Sequence, residues 1–332
     1  MPRVSILLPC RDAAATLPEA IASIAAQTFT DYDVIAVNDG ALDDTAALLD
    51  EWAARDARVR VLHEGRRGLV PALEAARAAA SGALIARMDA DDVAHPDRLA
   101  RQVALLDAEP GLAGCGTLVR YVPRDVLKDG ALRYEAWINA VVTADDVERE
   151  LFVECPIPHP TLMVRRDALA AVGGYRDPGW PEDYDLVLRL WSAGFRLAKV
   201  DGVLLDWREA PHRLSRRDPR YDEHAFRRCK VHYLGRRIAD RSVVVWGAGP
   251  VGKAFARALQ DAGHRIAAFV DLDPRKIGQE IHGAPVIAPA GVAACRGSFC
   301  VGAVGSPGAR EEIRAMLSAL GWREPEEWCA VA

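Results

Sequence analysis

Short apolar runs alternate with helical periodicity through the first hundred residues, and no other feature narrows the fold so far. VSILL (residues 4–8), DVIAV (33–37), VRVLH (59–63) and ALIARM (83–88) have the length and composition of buried strands. Between them lie ATLPEAIASIAAQ, DDTAALLDEWAARD and GLVPALEAARAAASG, each long enough for a helix. Asp43, Asp44 or Thr45 offers the second of these an N-cap. Repetition of strand and helix implies a parallel sheet with right-handed crossovers, hence an α/β fold. Ligands of such sheets bind beyond the carboxyl ends of the strands. The motif DADD, residues 89–92, directly follows the fourth run, which places it at that edge.

DADD crowds Asp89, Asp91 and Asp92 into four positions, with Asp97 close behind. Charges of one sign packed so tightly repel, so something positive must sit against them. Asp89 and Asp91, spaced Asp-x-Asp at a strand end, can point into a common cavity. Hard carboxylate oxygens in an incomplete set suit Mg²⁺ or Mn²⁺, with substrate phosphates completing the shell. Such a metal neutralises a departing diphosphate. The alternative is an acidic loop capping the helix that begins near Pro96, and for Asp97 that is the better reading.

At 332 residues, half of them hydrophobic, the chain exceeds one typical domain. DRLARQVALLDAEPG reads as a helix stopped by Pro110 and Gly111. A less regular region runs to about residue 155, followed by TLMVRR, VGGY, the loop RDPGWP and the amphipathic helix EDYDLVLRLWSAG. Residues 221–240 read as a connecting helix. From residue 241 the pattern restarts as SVVVWGAGPVGKAFARALQDAG: a strand, a glycine turn and a helix. The expected domains are therefore 1–220 and 241–332.

The net charge of −5 argues against a nucleic-acid partner. The basic run HRLSRRDPRYDEHAFRRCK is diluted by its acids and reads as a solvated face or a phosphate-facing patch. Seven scattered cysteines without a CxxC pair match neither a zinc site nor a disulfide framework. There is no apolar run of about 18 residues and no secretory leader, so the expected location is the cytoplasm. Peripheral contact at the inner membrane face stays open.

Five separated stretches carry a resemblance: VSILLPCRDAAATLPEAIASIAAQTFTDYDVIAVNDGALDDT, ARMDADD, HPTLMVRR, VGGY and EDYDLVLRL. In that order and spacing they resemble the family 2 glycosyltransferases with the GT-A fold, over roughly residues 3 to 215. The resemblance implies a nucleotide-diphospho-sugar transferase domain with a mixed, mainly parallel sheet. It also implies a nucleotide-diphospho-sugar donor, inversion at the anomeric carbon, and Mg²⁺ or Mn²⁺. A UDP-linked hexose or N-acetylhexosamine passing to a glycan, lipid-linked or protein acceptor is the activity expected.

Residue by residue, Pro9 and Asp39 match positions lining the nucleotide pocket, with a turn aspartate as the alternative for Asp39. Asp89 and Asp91 match the pair that holds the ribose and the metal-diphosphate, and Asp92 is the adjoining acid. Arg67 falls where a nucleotide contact or a surface arginine are equal readings. Asp183 in PEDYD matches the general base, with Glu182 orienting it or binding the acceptor; favouring the helix dipole is the alternative for both. His212 matches a late-loop histidine near the metal. His159 is expected to order the acceptor loop, and Trp180 to stack on a sugar ring, while Trp207 reads as core.

In the last ninety residues, Gly247, Gly249 and Gly252 fit G-x-G-x-x-G between a strand and a helix, and Asp271 lies nineteen residues after Gly252 in AAFVDLD. This Rossmann-like α/β stretch resembles the nucleotide-sugar-binding N-terminal domain of bacterial sugar O-acyltransferases. Three readings stand: a nucleotide-binding module, a homodimerisation or partner module, and half of an NAD-dependent enzyme. Accordingly a dehydrogenase or epimerase, and a non-catalytic sugar-nucleotide sensor, are the rivals to the transferase.

Overall fold

A computed structural model describes residues 1–210 and 213–332. It divides into two compact units: Met1–Val147, Pro156–Pro178 and Asp185–Arg217 form one, and Glu148–Cys155, Gly179–Tyr184 and Asp218–Ala332 the other.

In the first unit, strands β1 (Val4–Cys10), β2 (Tyr32–Asp39), β3 (Val59–Glu64) and β4 (Leu84–Arg87) fall on the four apolar runs. Helices Leu17–Ala25, Thr45–Arg55 and Leu69–Ala79 separate them. β1 pairs in parallel with both β2 and β4, and β2 with β3. The rest of the sheet comes from β5 (Val93–Ala94), β6 (Leu112–Val122), β7 (Met163–Arg165) and β8 (Arg196–Arg208). The order is β3-β2-β1-β4-β7-β6-β8-β5, and β7 runs antiparallel to both of its neighbours. This is a mixed, mainly parallel α/β sheet. Val4, Ile6, Leu8, Val34, Ala36 and Ala86 build its core against the flanking helices. The Val, Ile and Leu side chains among these contribute roughly 1.5–3 kcal/mol each on full burial.

At the start of the helix Thr45–Arg55, Asp43 Oδ1 accepts from the Thr45 N–H at 3.1 Å, so of the three candidates Asp43 meets a helix N–H. Asp44 occupies the N-cap position but its side chain caps nothing. Asp43 and Thr45 instead tie the loop after β2 to the loop after β1: Ala14 N–H donates to Asp43 at 2.9 Å and Ala13 N–H to the buried Thr45 hydroxyl at 2.8 Å. Two loops at the carboxyl edge are thereby fixed together.

The second unit holds a six-stranded sheet, β11-β12-β10-β9-β13-β14. Its strands are β9 (Val243–Trp246), β10 (Ile266–Val270), β11 (Glu280–Ile281), β12 (Ala284–Ile287), β13 (Phe299–Gly302) and β14 (Trp328–Ala330). β9 is followed by the turn bearing Gly247 and Gly249 and by the helix Pro250–Asp261, which contains Gly252; β10 is followed by Asp271. The region read as a connecting helix contains Glu223–Ile238, whose Asp222 accepts from Ala225 N–H as a true N-cap.

Candidate active site

β4 ends at Arg87 and β5 begins at Val93, so residues 88–92 cross the carboxyl edge of the parallel strands. β5 pairs with β8, Val93 opposite Asp206, which carries Arg208 alongside the crossing. The Arg208 N–H donates to Asp92 Oδ1, and its Nε to the Asp91 carbonyl, each at 2.8 Å. Asp89, Asp91 and Asp92 each offer a carboxylate oxygen, and the three oxygens lie within 4.8 Å of one another.

The positive partners are arginines. Arg87 is buried and its guanidinium contacts Asp89 and the Met88 carbonyl. Arg98, also buried, donates to the carbonyls of Arg87 at 2.6 Å and Pro160 at 3.0 Å, and its charge acts on Asp92 and Asp89. Arg213 lies 4.5 Å over the Trp207 ring, which stacks on Tyr121 at 5.0 Å. Its charge favours the ionised form of all three aspartates.

Burial works against ionisation throughout. At Asp89 burial raises the carboxyl, but the charge and hydrogen bond of Arg87 and the charge of Arg213 outweigh it and hold it below its ordinary value. At Asp91 burial and then the Asp89 charge raise it. Asp92 is pushed well up by burial, then by Asp89 and Asp91. Its Oδ2 is buried and has no hydrogen-bond partner. An orphaned carboxyl oxygen beside two other carboxyls is costly, and a divalent cation would satisfy it. The donor set is all oxygen, so it fits Mg²⁺ or Mn²⁺.

Along the same edge, β2 ends at Asp39, which is 3% exposed. Its carboxylate accepts from the N–H groups of Arg67 at 2.7 Å and Gly68 at 3.0 Å, and from the Arg11 guanidinium at 3.3 Å. Arg67 thus meets Asp39 through its backbone, while its exposed side chain turns to Glu64. Pro9 stands next to the end of β1, opposite Val37 of β2. His159 is buried in the turn His159–Thr161, its ring 5.6 Å from Tyr175. Burial and then the Arg87 charge lower its pKa to about 3, so it is neutral; Asp89 acts the other way. His212 lies outside the described residues.

Glu182 and Asp183 open the helix Glu182–Ser192, directly after Pro181. Glu182 is 1% exposed and its Oε2 accepts from the Tyr221 hydroxyl at 2.6 Å. Asp183 is partly exposed, and its Oδ1 accepts from the Tyr184 N–H at 2.7 Å. Burial, then the charge of Glu182, push Asp183 up to about 8. Asp185 is committed elsewhere, in a buried pair with Arg189 at 2.7 Å. Trp180 has the His232 ring at 5.3 Å and the Arg228 guanidinium at 5.6 Å from its centroid.

Sequence reasoning missed Arg87, Arg98, Arg208, Arg213 and Tyr221. One signal was available: an arginine inside the apolar run ALIARM has to be paired when that strand is buried.

The sequence profile of Glycosyl transferase family 2 matches residues 5–173. The O-antigen biosynthesis glycosyltransferase WbnJ of Escherichia coli is 31% identical over 192 residues, covering 57% of this chain and 72% of WbnJ. Among solved structures, Staphylococcus aureus TarS 1–349 in complex with UDP-GlcNAc superposes with a TM-score of 0.56 at 13% identity, over 78% of this chain and 71% of that one. The mannosyltransferase PcManGT from Pyrobaculum calidifontis, in complex with GDP-Man and Mn²⁺, gives 0.52 at 21% identity, over 98% and 82%. These two likenesses are of fold. With the motifs and the family match they lead to one statement: the chain belongs to glycosyl transferase family 2 and is a glycosyltransferase.

Proposed function

We infer that the chain moves a sugar from a UDP-linked donor to a hydroxyl acceptor with inversion, in glycan or polysaccharide synthesis. The observation that carries this reading is the acidic cluster: Asp89, Asp91 and Asp92 each offer a carboxylate oxygen within 4.8 Å of the others, and Asp92 Oδ2 is buried and unpartnered. Asp89, Asp91 and Asp92 would hold Mg²⁺ or Mn²⁺, whose contribution when bound is charge neutralisation of the diphosphate. Pro9, Asp39 and the Arg67–Gly68 backbone line the nucleotide end. The complexes of TarS with UDP-GlcNAc and of PcManGT with GDP-Man and Mn²⁺ support a nucleotide-sugar donor and a metal.

Asp183 takes the proton from the acceptor hydroxyl as that oxygen bonds to the anomeric carbon. The bond from that carbon to the donor phosphate breaks, and the nucleoside diphosphate leaves with the electron pair. A base with its pKa near the working pH is well matched to this transfer. Glu182, held by Tyr221, keeps Asp183 poised by repulsion and by position. Trp180 and His159 are assigned to the acceptor side, the latter by ordering its loop.

The test is a screen of UDP- and GDP-sugars with Mn²⁺, read as release of the nucleoside diphosphate. Turnover of a UDP-sugar supports the reading; turnover of GDP-sugars alone moves the donor, and none with either class refutes it.

A further inference from the structure

Beside the turn that carries Asp39, side chains from three elements form a hydrogen-bonded chain to which the transfer chemistry assigns no part. Asp50 stands on the helix Thr45–Arg55, His63 on β3, and Asn38 on β2 opposite His63 in the parallel ladder. His63 Nε2 meets Asp50 Oδ1 at 3.0 Å, and His63 Nδ1 meets Asn38 Nδ2 at 3.2 Å. Asn38 is 7% exposed, and its Oδ1 accepts from the Ala41 N–H at 3.0 Å.

These contacts determine where each proton sits. With Asn38 Oδ1 committed to the Ala41 N–H, only the amide NH₂ faces the ring, so His63 Nδ1 is the acceptor. The ring proton is then on Nε2 and is donated to Asp50. Remove Asp50 and either nitrogen can hold that proton. On Nδ1 it would oppose the Asn38 NH₂, two donors face to face, and drive the amide to turn round. The turned amide presents its NH₂ to the Ala41 N–H and breaks that bond.

Asp39 lies inside the turn that Asn38 closes on Ala41. The next residue, Gly40, has φ +62°, and a Cβ there would lie 2.7 Å from the Arg66 backbone nitrogen. The turn therefore rests on the backbone whose Arg67 and Gly68 N–H groups bond Asp39. Leu42 N–H is held separately, by Asp12 Oδ1 at 2.8 Å. Loss of the Ala41 bond frees the middle of the turn, next to Asp39. The outer pair has little to offer stability, since the His63 and Asp50 side chains are 47% and 61% exposed. What it orients is a buried amide at the edge of the nucleotide pocket.

We propose that His63 is a positioning residue for the donor nucleotide, holding the turn from Asp39 to Leu42 through Asn38, with Asp50 selecting the tautomer required. The inference rests on the reading of Asp39 as part of the nucleotide pocket.

The experiment is calorimetric titration of the full chain with UDP and with GDP in Mn²⁺, for wild type, His63→Leu and His63→Gln. Leucine has no acceptor, whereas the glutamine oxygen can still accept from Asn38. The expected result is nucleotide binding about fivefold weaker in His63→Leu at an unchanged number of sites, and largely restored in His63→Gln. A purely structural part for His63 lowers the number of competent sites and leaves Kd alone, so the two effects separate. A folded His63→Leu protein with Kd within about twofold of wild type overturns the proposal, as does equal weakening by leucine and glutamine. If His63→Leu does not fold, Asp50→Ala on the exposed helix face decides. Binding about threefold weaker then supports the proposal, and an unchanged Kd overturns it. Wild-type protein that binds neither nucleotide refutes the pocket reading itself, and the inference falls with it.

Discussion

The Tyr221 hydroxyl donates to Glu182 Oε2 at 2.6 Å, and the next carboxylate in the chain, Asp183, has its pKa pushed up to about 8 by burial and by the charge of Glu182. Tyr221 thus holds the charge that tunes its neighbour. Tyr221→Phe keeps the ring and removes the donor. Steady-state kinetics should show kcat lowered about tenfold, ~1.4 kcal/mol, with donor KM little changed. Equal losses in kcat and donor affinity would indicate that Tyr221 acts on donor binding instead.

Asp183→Asn should leave donor binding nearly intact and cut transfer by ~10²–10⁴-fold. The wild-type kcat/KM should rise with pH and level off above about 8, as Asp183 ionises.

A stability signature accompanies that titration. An unfolded-chain aspartate ionises near ~3.9, so between there and about 8 the folded protein holds a proton that the unfolded chain has lost. The contribution of Asp183 to stability is therefore complete below the lower value and is lost as pH rises through the upper one. Denaturant unfolding from pH 5 to 9 should fall less steeply for Asp183→Asn than for wild type. Parallel curves would mean that Asp183 titrates normally.

Much of this was legible in sequence, and the gaps have physical causes. The four apolar runs and their helices were read correctly because both periodicities are strong there. The strands Leu112–Val122 and Arg196–Arg208 were not foreseen. The first is diluted by Gly114 and Gly116, and their ladder contains register shifts. At the site, DADD and PEDYD stood out because acids cluster in sequence. Their arginine partners did not, since Arg98, Arg208 and Arg213 arrive from a following helix and from the far end of the sheet. Asp185 looked like Asp183 in sequence, and only the pair with Arg189 separates them.

Arg98 bonds two buried carbonyls beneath the cluster, at Arg87 and Pro160. Arg98→Leu should cost about 3 kcal/mol, the combined effect of stranded carbonyls and an uncompensated Asp92. Chemical denaturation measures it; a change under about 0.5 kcal/mol, typical of surface sites, would contradict the account.

Arg213 lies over Trp207 and pairs with Glu209 at 3.2 Å, and its charge lowers the pKa of the aspartates. Arg213→Ala should raise donor KM about tenfold while changing kcat less, because one cation facing the diphosphate is lost. An unchanged KM would assign Arg213 to packing alone.

The most direct test of the central claim, that the acidic cluster is the metal and nucleotide site, is UDP binding by Asp91→Ala with and without Mn²⁺. The wild type should bind UDP in a Mn²⁺-dependent manner, and the variant should lose that dependence. Its melting temperature should hold or rise, since removing Asp91 relieves the repulsion that raises Asp92. Unaltered Mn²⁺-dependent UDP affinity in a folded Asp91→Ala protein would contradict the account.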